Sequence, residues 1–299
     1  MNNDVVGFIP VGGRGERLKP LTNAFPKPLL LMGKDGKRII DYPLRLIRPN
    51  VSRIFISTSY CSNLFDAYFN NHNVEILNDR FLLNIGGSFL QHMSRFTKEG
   101  SLGDQLIMIP GDHVIQGVNI QDMLTQHMEK KSTISIGLVA ERCYGDYFKL
   151  NQSGQVVDNT NQGGFSSTGV YIVNSSFLID RLRDLIKRGW DNTQCDFTRE
   201  IVFPEIKNGG VYGYRFKNKS YWDDAGTIGR YYENNMRLSL GENVIAASAR
   251  VGEGVVMRRS IILDSAQIEG GFKIDNSIIP PYTKVRKKSD FITVKQRYA

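Results

Sequence analysis

Cysteine is scarce in this chain of 299 residues, occurring three times, as Cys61, Cys143 and Cys195. Far apart and odd in number, the three exclude a C-x-x-C metal pair and a closed disulfide framework, and they fit a reducing compartment, so a cytoplasmic location is expected. Long apolar runs are missing too. No stretch approaches the roughly 20 residues that a membrane helix needs, and Leu29 to Met32 is soon broken by Lys34 and Asp35. Asp4 stands before the first apolar stretch and Arg14 after it, a pattern without a basic segment and cleavable apolar core, so neither a signal peptide nor a membrane partner is expected. Acidic residues are the minority charge: 30 Asp and Glu against 38 Lys and Arg give a net +8. That excess favours an anionic partner without specifying one. What is present is ordinary for a globular protein, with 41% hydrophobic, 23% charged and 10% aromatic residues, which excludes a disordered or fibrous chain. At about 150 residues per domain the length suggests two domains, or one large domain with an appendage.

Val5 to Val11 is a short apolar run ending at a glycine cluster, the pattern of a buried strand feeding a phosphate-sized loop. Arg53 to Thr58, Gln105 to Pro110, Ser132 to Val139 and Gly169 to Val173 read as further strands, separated by amphipathic stretches such as Ile40 to Ile47 and Ile120 to Lys130. Strands alternating with helices predict an α/β domain with a largely parallel sheet covered on both faces. Ligands then belong beyond the strands' C-terminal ends, which singles out the loops that follow the apolar runs.

After Tyr231 to Leu240, a predicted helix, the texture changes. Val251-Gly-Glu-Gly-Val-Val, Ser260-Ile-Ile-Leu-Asp, Ile268-Glu-Gly-Gly and Ser277-Ile-Ile-Pro repeat an aliphatic residue followed by a small or acidic one about every six or seven positions. The spacing predicts short strands stacked as coils of a parallel β-helix, with ordinary hairpins as the alternative; so short an array needs the main domain or another subunit to lean on. The division falls at 1–240 and 241–299. The tail, with Lys284, Arg286, Lys287, Lys288, Lys295 and Arg297, reads as a solvated basic terminus, because no aromatic-interleaved nucleic-acid motif accompanies it.

Gly12-Gly-Arg-Gly-Glu-Arg-Leu18 directly follows the first strand. Glycines there let backbone N–H groups close on phosphate oxygens, and Arg14 and Arg17 add cationic donors. Neither the dinucleotide fingerprint nor the Walker pattern fits this spacing. The continuation Lys19-Pro-Leu-Thr-Asn-Ala-Phe-Pro-Lys-Pro28 presents Lys27 on a proline-stiffened stretch, so that two cationic arms bracket one phosphate chain. Asp112 follows an apolar run, where a strand's C-terminal end would hold its carboxylate over the crevice.

The stretch Gly12 to Pro28 resembles the signature of the sugar nucleotidyltransferase family, Gly-Gly-x-Gly-x-Arg-Leu-x-Pro-Leu-Thr followed by Pro-Lys-Pro. Within that family the chain is most similar to the glucose-1-phosphate adenylyltransferase branch, through Lys37-Arg-Ile-Ile-Asp-Tyr-Pro-Leu44, Pro110-Gly-Asp-His-Val114, Ser167-Thr-Gly-Val-Tyr171, Asp196-Phe-Thr-Arg-Glu-Ile201, and Tyr221-Trp-Asp-Asp-Ala-Gly-Thr-Ile228 with Tyr231-Tyr-Glu-Asn-Asn-Met236. The resemblance implies a Rossmann-like, GT-A-like mixed and mainly parallel sheet, followed by a short left-handed parallel β-helix. It implies transfer of a nucleoside monophosphate from an NTP to a sugar 1-phosphate or a sugar-like cyclitol phosphate, with ATP and glucose 1-phosphate as the family default. Gly12, Gly13, Arg14 and Gly15 would hold the β- and γ-phosphates, Arg17 the leaving pyrophosphate, and Lys27 the phosphates near the α-position. Asp112 and Asp224 would fix Mg²⁺, whose octahedral oxygen coordination suits two carboxylates plus phosphate oxygens. Ser59, Gly86 and Gly87 fall on the base side, and Thr168, Gly169 and Asp196 on the sugar side, although Gly169 also reads as a turn glycine and Asp196 as a helix cap. His113 reads as a packing or capping residue and Asp223 as a solvated neighbour of Asp224. A homo-oligomer, dimer or tetramer, is expected, with no nucleic-acid partner.

Three departures stand out. Where the family carries Glu-Lys-Pro, whose Lys grips the sugar phosphate, this chain reads Val156-Val-Asp-Asn-Thr-Asn-Gln-Gly-Gly164, leaving Lys149 or Lys217 as replacements. The base-reading segments become Ser59-Tyr60 and Leu83-Asn-Ile-Gly-Gly-Ser88, which leaves the nucleobase open. The C-terminal region is abbreviated. The missing Lys also admits a second expectation, a non-catalytic regulatory subunit that binds nucleotide or sugar phosphate.

Overall fold

A computed structural model describes residues 4–70, 72–98, 101–140, 146–160, 163–191, 193, 195–217 and 219–294. Cys143, Lys295 and Arg297 lie outside the described residues. The chain divides into two compact units, one of Met1–Gly12, Pro43–Gly111 and Ile115–Trp222, the other of Gly13–Tyr42, Asp112–Val114 and Asp223–Ala299. No helix among the described residues is long and apolar enough to cross a membrane.

The first unit is built on a nine-stranded sheet. Its strands run in the order Val211–Arg215, Ile134–Ala140, Phe165–Asn174, Gln105–Met108, Val5–Pro10, Arg53–Thr58 and Glu75–Asn78, with the hairpin Tyr147–Leu150 and Val156–Thr160 joined to Phe165–Asn174. Val5–Pro10 pairs in parallel with both Arg53–Thr58 and Gln105–Met108, and Arg53–Thr58 in parallel with Glu75–Asn78. Phe165–Asn174 runs antiparallel to its neighbours on both sides. The sheet is thus mixed, with the parallel block where the apolar runs predicted it. Those strands are buried almost end to end, as a sheet covered on both faces requires. One covering layer is aromatic: Phe8 stacks on Phe89 at 4.4 Å between centroids, and Phe96 packs edge-on to Phe8 and Phe55.

Helix ends follow their caps. Asn119 accepts from the Asp122 N–H and opens the helix Ile120–Glu129; Asn174 accepts from the Phe177 N–H and opens Ser175–Lys187. In the second unit Thr227 accepts from the Arg230 N–H, so that helix begins at Ile228 rather than at Tyr231, and runs to Leu238.

The C-terminal strands form three parallel ladders. Val244–Ile245, Ile261–Ile262 and Ser277–Ile279 make one, Arg250–Val251, Gln267–Ile268 and Lys284–Val285 a second, and Val256–Arg258 with Lys273–Asp275 a third. Partners in these three parallel ladders are 17 residues apart. The corners recur at the same interval in left-handed backbone: Gly254 and Gly271, Arg259 and Asn276, Ser265 and Tyr282. Ile262, Ala266, Ile268, Ile274, Ile279 and Val285 fill the space between the ladders. These short parallel ladders are compatible with a β-helix, and Ile292–Thr293 adds antiparallel to Ser277–Ile279 at the end of the first. Arg38 joins the C-terminal ladders to the segment after Lys27, donating to Leu29 O at 2.7 Å and to both carboxylate oxygens of Asp264 at 2.7 and 2.8 Å.

One buried titratable group lies under the sheet. His127 is 1% exposed, with Nδ1 2.9 Å from Ser135 Oγ and Nε2 3.0 Å from Gln105 Oε1. Neutral imidazole satisfies both contacts by donating from Nε2 and accepting at Nδ1, and burial pushes its pKa down to about 4. The unfolded chain, with an ordinary histidine near pH 6.5, therefore binds more protons between those values, so stability is fully present above that range and is lost as pH falls. From pH 7 to pH 5 this group alone should remove about 2 kcal/mol, read by urea unfolding at the two pH values. His127→Gln should lose that much less; an unchanged pH dependence in the variant contradicts the assignment.

Candidate active site

The Val5–Pro10 strand is followed by Val11, whose N–H bonds Ser57 O at 2.8 Å. The glycine loop then leads into a short turn, Glu16–Leu18, anchored by buried Leu18. Gly15 has φ 63°, and a Cβ there would meet Thr22 Cγ2 at 3.0 Å and Lys27 Cβ at 3.3 Å. The Thr22 hydroxyl donates to Gly15 O at 2.9 Å. Glycine at this position thus lets the loop lie against the second arm, the one that carries Lys27. Gly13 differs, since a Cβ there would meet nothing within 4 Å. Arg14 and Arg17 are exposed.

Lys27 is 5% exposed and has two partners. Its Nζ lies 2.8 Å from Asp112 Oδ2 and donates to the backbone carbonyl of Asp224. Burial opposes the charge on Asp112, but the Lys27 ammonium and His113, with Nε2 3.5 Å from Oδ1, outweigh it and hold the pKa at about 2. At neutral pH Asp112 is a carboxylate. The two aspartates, remote in sequence, are therefore brought together at one ammonium group, Asp112 through its side chain and Asp224 through its main chain.

The Asp224 carboxylate itself faces arginines. Oδ1 accepts from the Gly226 N–H at 2.8 Å and lies 2.5 Å from Arg230 Nη2, and Oδ2 lies 3.8 Å from Arg17 Nη2. Asp223 is not a solvated neighbour. It is buried, and its Oδ1 accepts from the Ala225 N–H at 2.6 Å and from Arg230 Nη2 at 3.0 Å. The left-handed backbone of Ala225, φ 43°, folds the chain so that both adjacent aspartates reach the same guanidinium. No cage of three or more His, Cys, Asp or Glu side chains forms among the described residues.

Gly12 and the base- and sugar-side candidates belong to the other unit. Gly12 packs near Ser59, whose hydroxyl donates to Phe81 O at 3.0 Å. Gly86 and Gly87 are buried at the start of the short helix Ile85–Gln91, and a Cβ on Gly86 would lie 2.6 Å from Cys195 Sγ. The Thr168 hydroxyl donates into the sheet, to Gly137 O at 2.8 Å, while the Thr168 carbonyl accepts from Trp222 Nε1 at 3.0 Å. Gly169 has φ 75°, the turn-glycine geometry. Asp196 accepts from the Arg199 N–H at 2.9 Å, the capping geometry. Of the replacement cations, Lys149 stands across the hairpin from Asp158 and Lys217 lies 3.2 Å from Asp122.

Two groups escaped the sequence reading. Arg230 gave one signal, a cation in the first turn of a helix, where the macrodipole disfavours it unless carboxylates are near. The second is a buried network in which Ser57 and Ser88 hydroxyls donate to Asp79 at 2.8 and 3.0 Å and His92 Nε2 lies 2.9 Å from it. Its members are dispersed over 36 positions of ordinary composition and carry no motif.

A family profile described as nucleotidyl transferase matches residues 6–240. A glucose-1-phosphate adenylyltransferase of Rhizobium rhizogenes is 24% identical over 281 residues, covering 79% of this chain and 65% of the relative. The glucose-1-phosphate adenylyltransferase of Rhodopirellula baltica is 24% identical over 278 residues, covering 80% and 61%, and that of Alteromonas mediterranea 27% over 282 residues, covering 80% and 63%. The matches thus span a little under two thirds of these relatives' length.

The two kinds of glycine separate experimentally. Gly86→Ala forces a Cβ against Cys195, 2.6 Å from its sulfur and 2.8 Å from its carbonyl oxygen, and should lower Tm by at least about 3 °C. Gly13→Ala should leave Tm within about 1 °C, since the space is open. Equal Tm changes in the two variants, by differential scanning fluorimetry, contradict this distinction.

Proposed function

The chain belongs to the nucleotidyl transferase family, and from that premise we propose that it is an enzyme that transfers a nucleoside monophosphate from an NTP to a sugar 1-phosphate or a sugar-like cyclitol phosphate. A phosphate oxygen of the acceptor attacks the α-phosphorus, the bond from that phosphorus to the bridging oxygen breaks, and pyrophosphate leaves. ATP and glucose 1-phosphate are the first pair to test, from the names of the relatives. The observation that carries the proposal is the convergence of Lys27, Asp112 and Asp224 in one compact unit that also holds Arg14, Gly15 and Arg17.

In this reading the backbone N–H groups of Gly12 to Gly15 and the Arg14 side chain bind the β- and γ-phosphates. Exposed Arg17 moves from its loose 3.8 Å contact with Asp224 to the pyrophosphate oxygens as charge builds there. Lys27, preset by its buried position, shifts from Asp112 onto oxygens near the α-phosphorus and aligns the reactants. Asp112 and Asp224 would hold Mg²⁺: both are hard-oxygen donors, Asp112 is ionised, and the Lys27 ammonium now stands as a cation beside it. When bound, the metal supplies charge neutralisation at the phosphates. Ser59, Gly86 and Gly87 contribute to the base side and Thr168, Gly169 and Asp196 to the sugar side. In the last group the Thr168 hydroxyl is engaged with Gly137 O and the Gly169 N–H with Ser167 Oγ. The missing Glu-Lys-Pro lysine and the engagement of Lys217 with Asp122 favour an acceptor held differently from glucose 1-phosphate. A nucleotidyltransferase segment at 1–240, a left-handed β-helix at 241–299, homo-oligomerisation and a cytoplasmic location complete the proposal.

The test is pyrophosphate release with Mg²⁺ across a panel of NTPs and sugar or cyclitol phosphates. At least one pair should turn over, and Asp224→Asn should lower kcat by roughly 10²-fold or more, the loss of about 3 kcal/mol of electrostatic stabilisation, with its circular dichroism unchanged. Silence across the panel with nucleotide binding intact favours a regulatory subunit, and near-normal turnover in Asp224→Asn removes that residue from the chemistry.

A further inference from the structure

Arg230 stands in the first turn of the helix Ile228–Leu238, where a cation gains nothing from the helix itself. Its Nη2 bridges two carboxylates, 3.0 Å from Asp223 Oδ1 and 2.5 Å from Asp224 Oδ1, and its side chain is only 21% exposed. Arg17, by contrast, is 71% exposed and 3.8 Å from Asp224. Around the proposed metal position the formal charges therefore balance, with Lys27, Arg17 and Arg230 against Asp112, Asp223 and Asp224. A bare divalent cation meets no net negative charge there, and it must compete with Lys27 for Asp112 and with Arg230 for Asp224.

Resting on the function proposed above, we infer that Arg230 is a positioning residue that keeps Asp223 and Asp224 neutralised in the free protein, so that the divalent cation enters only together with nucleotide phosphates. Those phosphates carry the negative charge that draws exposed Arg17 away and receives Lys27. Asp112 and the outer oxygen of Asp224 are then released to the metal, while Arg230 stays on Asp223. Nucleotide and metal thereby favour each other's binding through the cations they exchange. The device guards against occupation of the site by metal alone, which would leave Lys27 displaced with no phosphate to receive it.

The test measures Mn²⁺ retained by the full-length protein in equilibrium dialysis, alone and with α,β-methylene-ATP. Wild type should bind Mn²⁺ at least about tenfold more tightly with the analogue than without it. Arg230→Gln, which removes the charge and keeps a polar amide, should tighten binding of Mn²⁺ alone by about tenfold and shrink the effect of the analogue, and Arg230→Lys, which returns the charge, should restore the wild-type weakness. A folded Arg230→Gln that binds Mn²⁺ alone no more tightly than wild type overturns the inference. So does wild type that binds Mn²⁺ equally tightly in both conditions, whatever the fate of the variants. Wild type that retains no Mn²⁺ in either condition overturns the proposed metal site, and the inference with it.

Discussion

The ammonium group of Lys27 is the pivot of the site. It is nearly inaccessible to water, 2.8 Å from the Asp112 carboxylate, and bonded to the carbonyl of Asp224, so three separate stretches of chain meet at one charge. Such a charge is costly to bury unless it is fully paired. The pairing fixes the path of the chain at Lys27, after Gly111 and before Gly226. It also explains why Asp112 stays ionised in surroundings that oppose its charge.

The arm that carries Lys27 is braced along its length. Gly15 lets the glycine loop lie against it, and Thr22 ties back to Gly15 O. Beyond Lys27, Arg38 holds Leu29 O and the Asp264 carboxylate of the C-terminal ladders, and the Tyr231 hydroxyl donates to Leu31 O. Tyr231 is completely buried, and burial pushes its phenol pKa far above the ordinary value, so it remains a donor at any physiological pH. The C-terminal ladders therefore supply a carboxylate, Asp264, that supports the segment presenting Lys27 within the same compact unit.

Much of this was legible in the sequence, and for physical reasons. Val5–Pro10, Arg53–Thr58 and Gln105–Met108 are buried on both faces, so their apolar runs are unbroken and stand out. The glycine loop and Lys27 carry a long motif, and the family profile reaches from 6 to 240. The C-terminal ladders were signalled by aliphatic spacing, although corners such as Arg259 and Tyr282 take a left-handed backbone that no residue preference foretells. What stayed hidden depended on contacts between distant positions. Asp223 read as solvated because an acidic residue beside another acid is usually exposed, whereas Arg230, seven positions on, turns back to pair with it. The buried network of Ser57, Asp79, Ser88 and His92 has no local signature, since only the parallel register of Arg53–Thr58 and Glu75–Asn78 brings Ser57 near Asp79.

Asp112 and Asp224, joined through Lys27 in the free protein, are proposed as the ligands of a single divalent ion once nucleotide displaces that lysine. The most direct measurement is the anomalous scattering of Mn²⁺ in crystals grown with a nucleoside triphosphate analogue. One anomalous peak within coordination distance of both carboxylates, with Lys27 moved onto the phosphate chain, is the predicted result. A peak elsewhere, or Lys27 still bonded to Asp112 with the nucleotide in place, would contradict it.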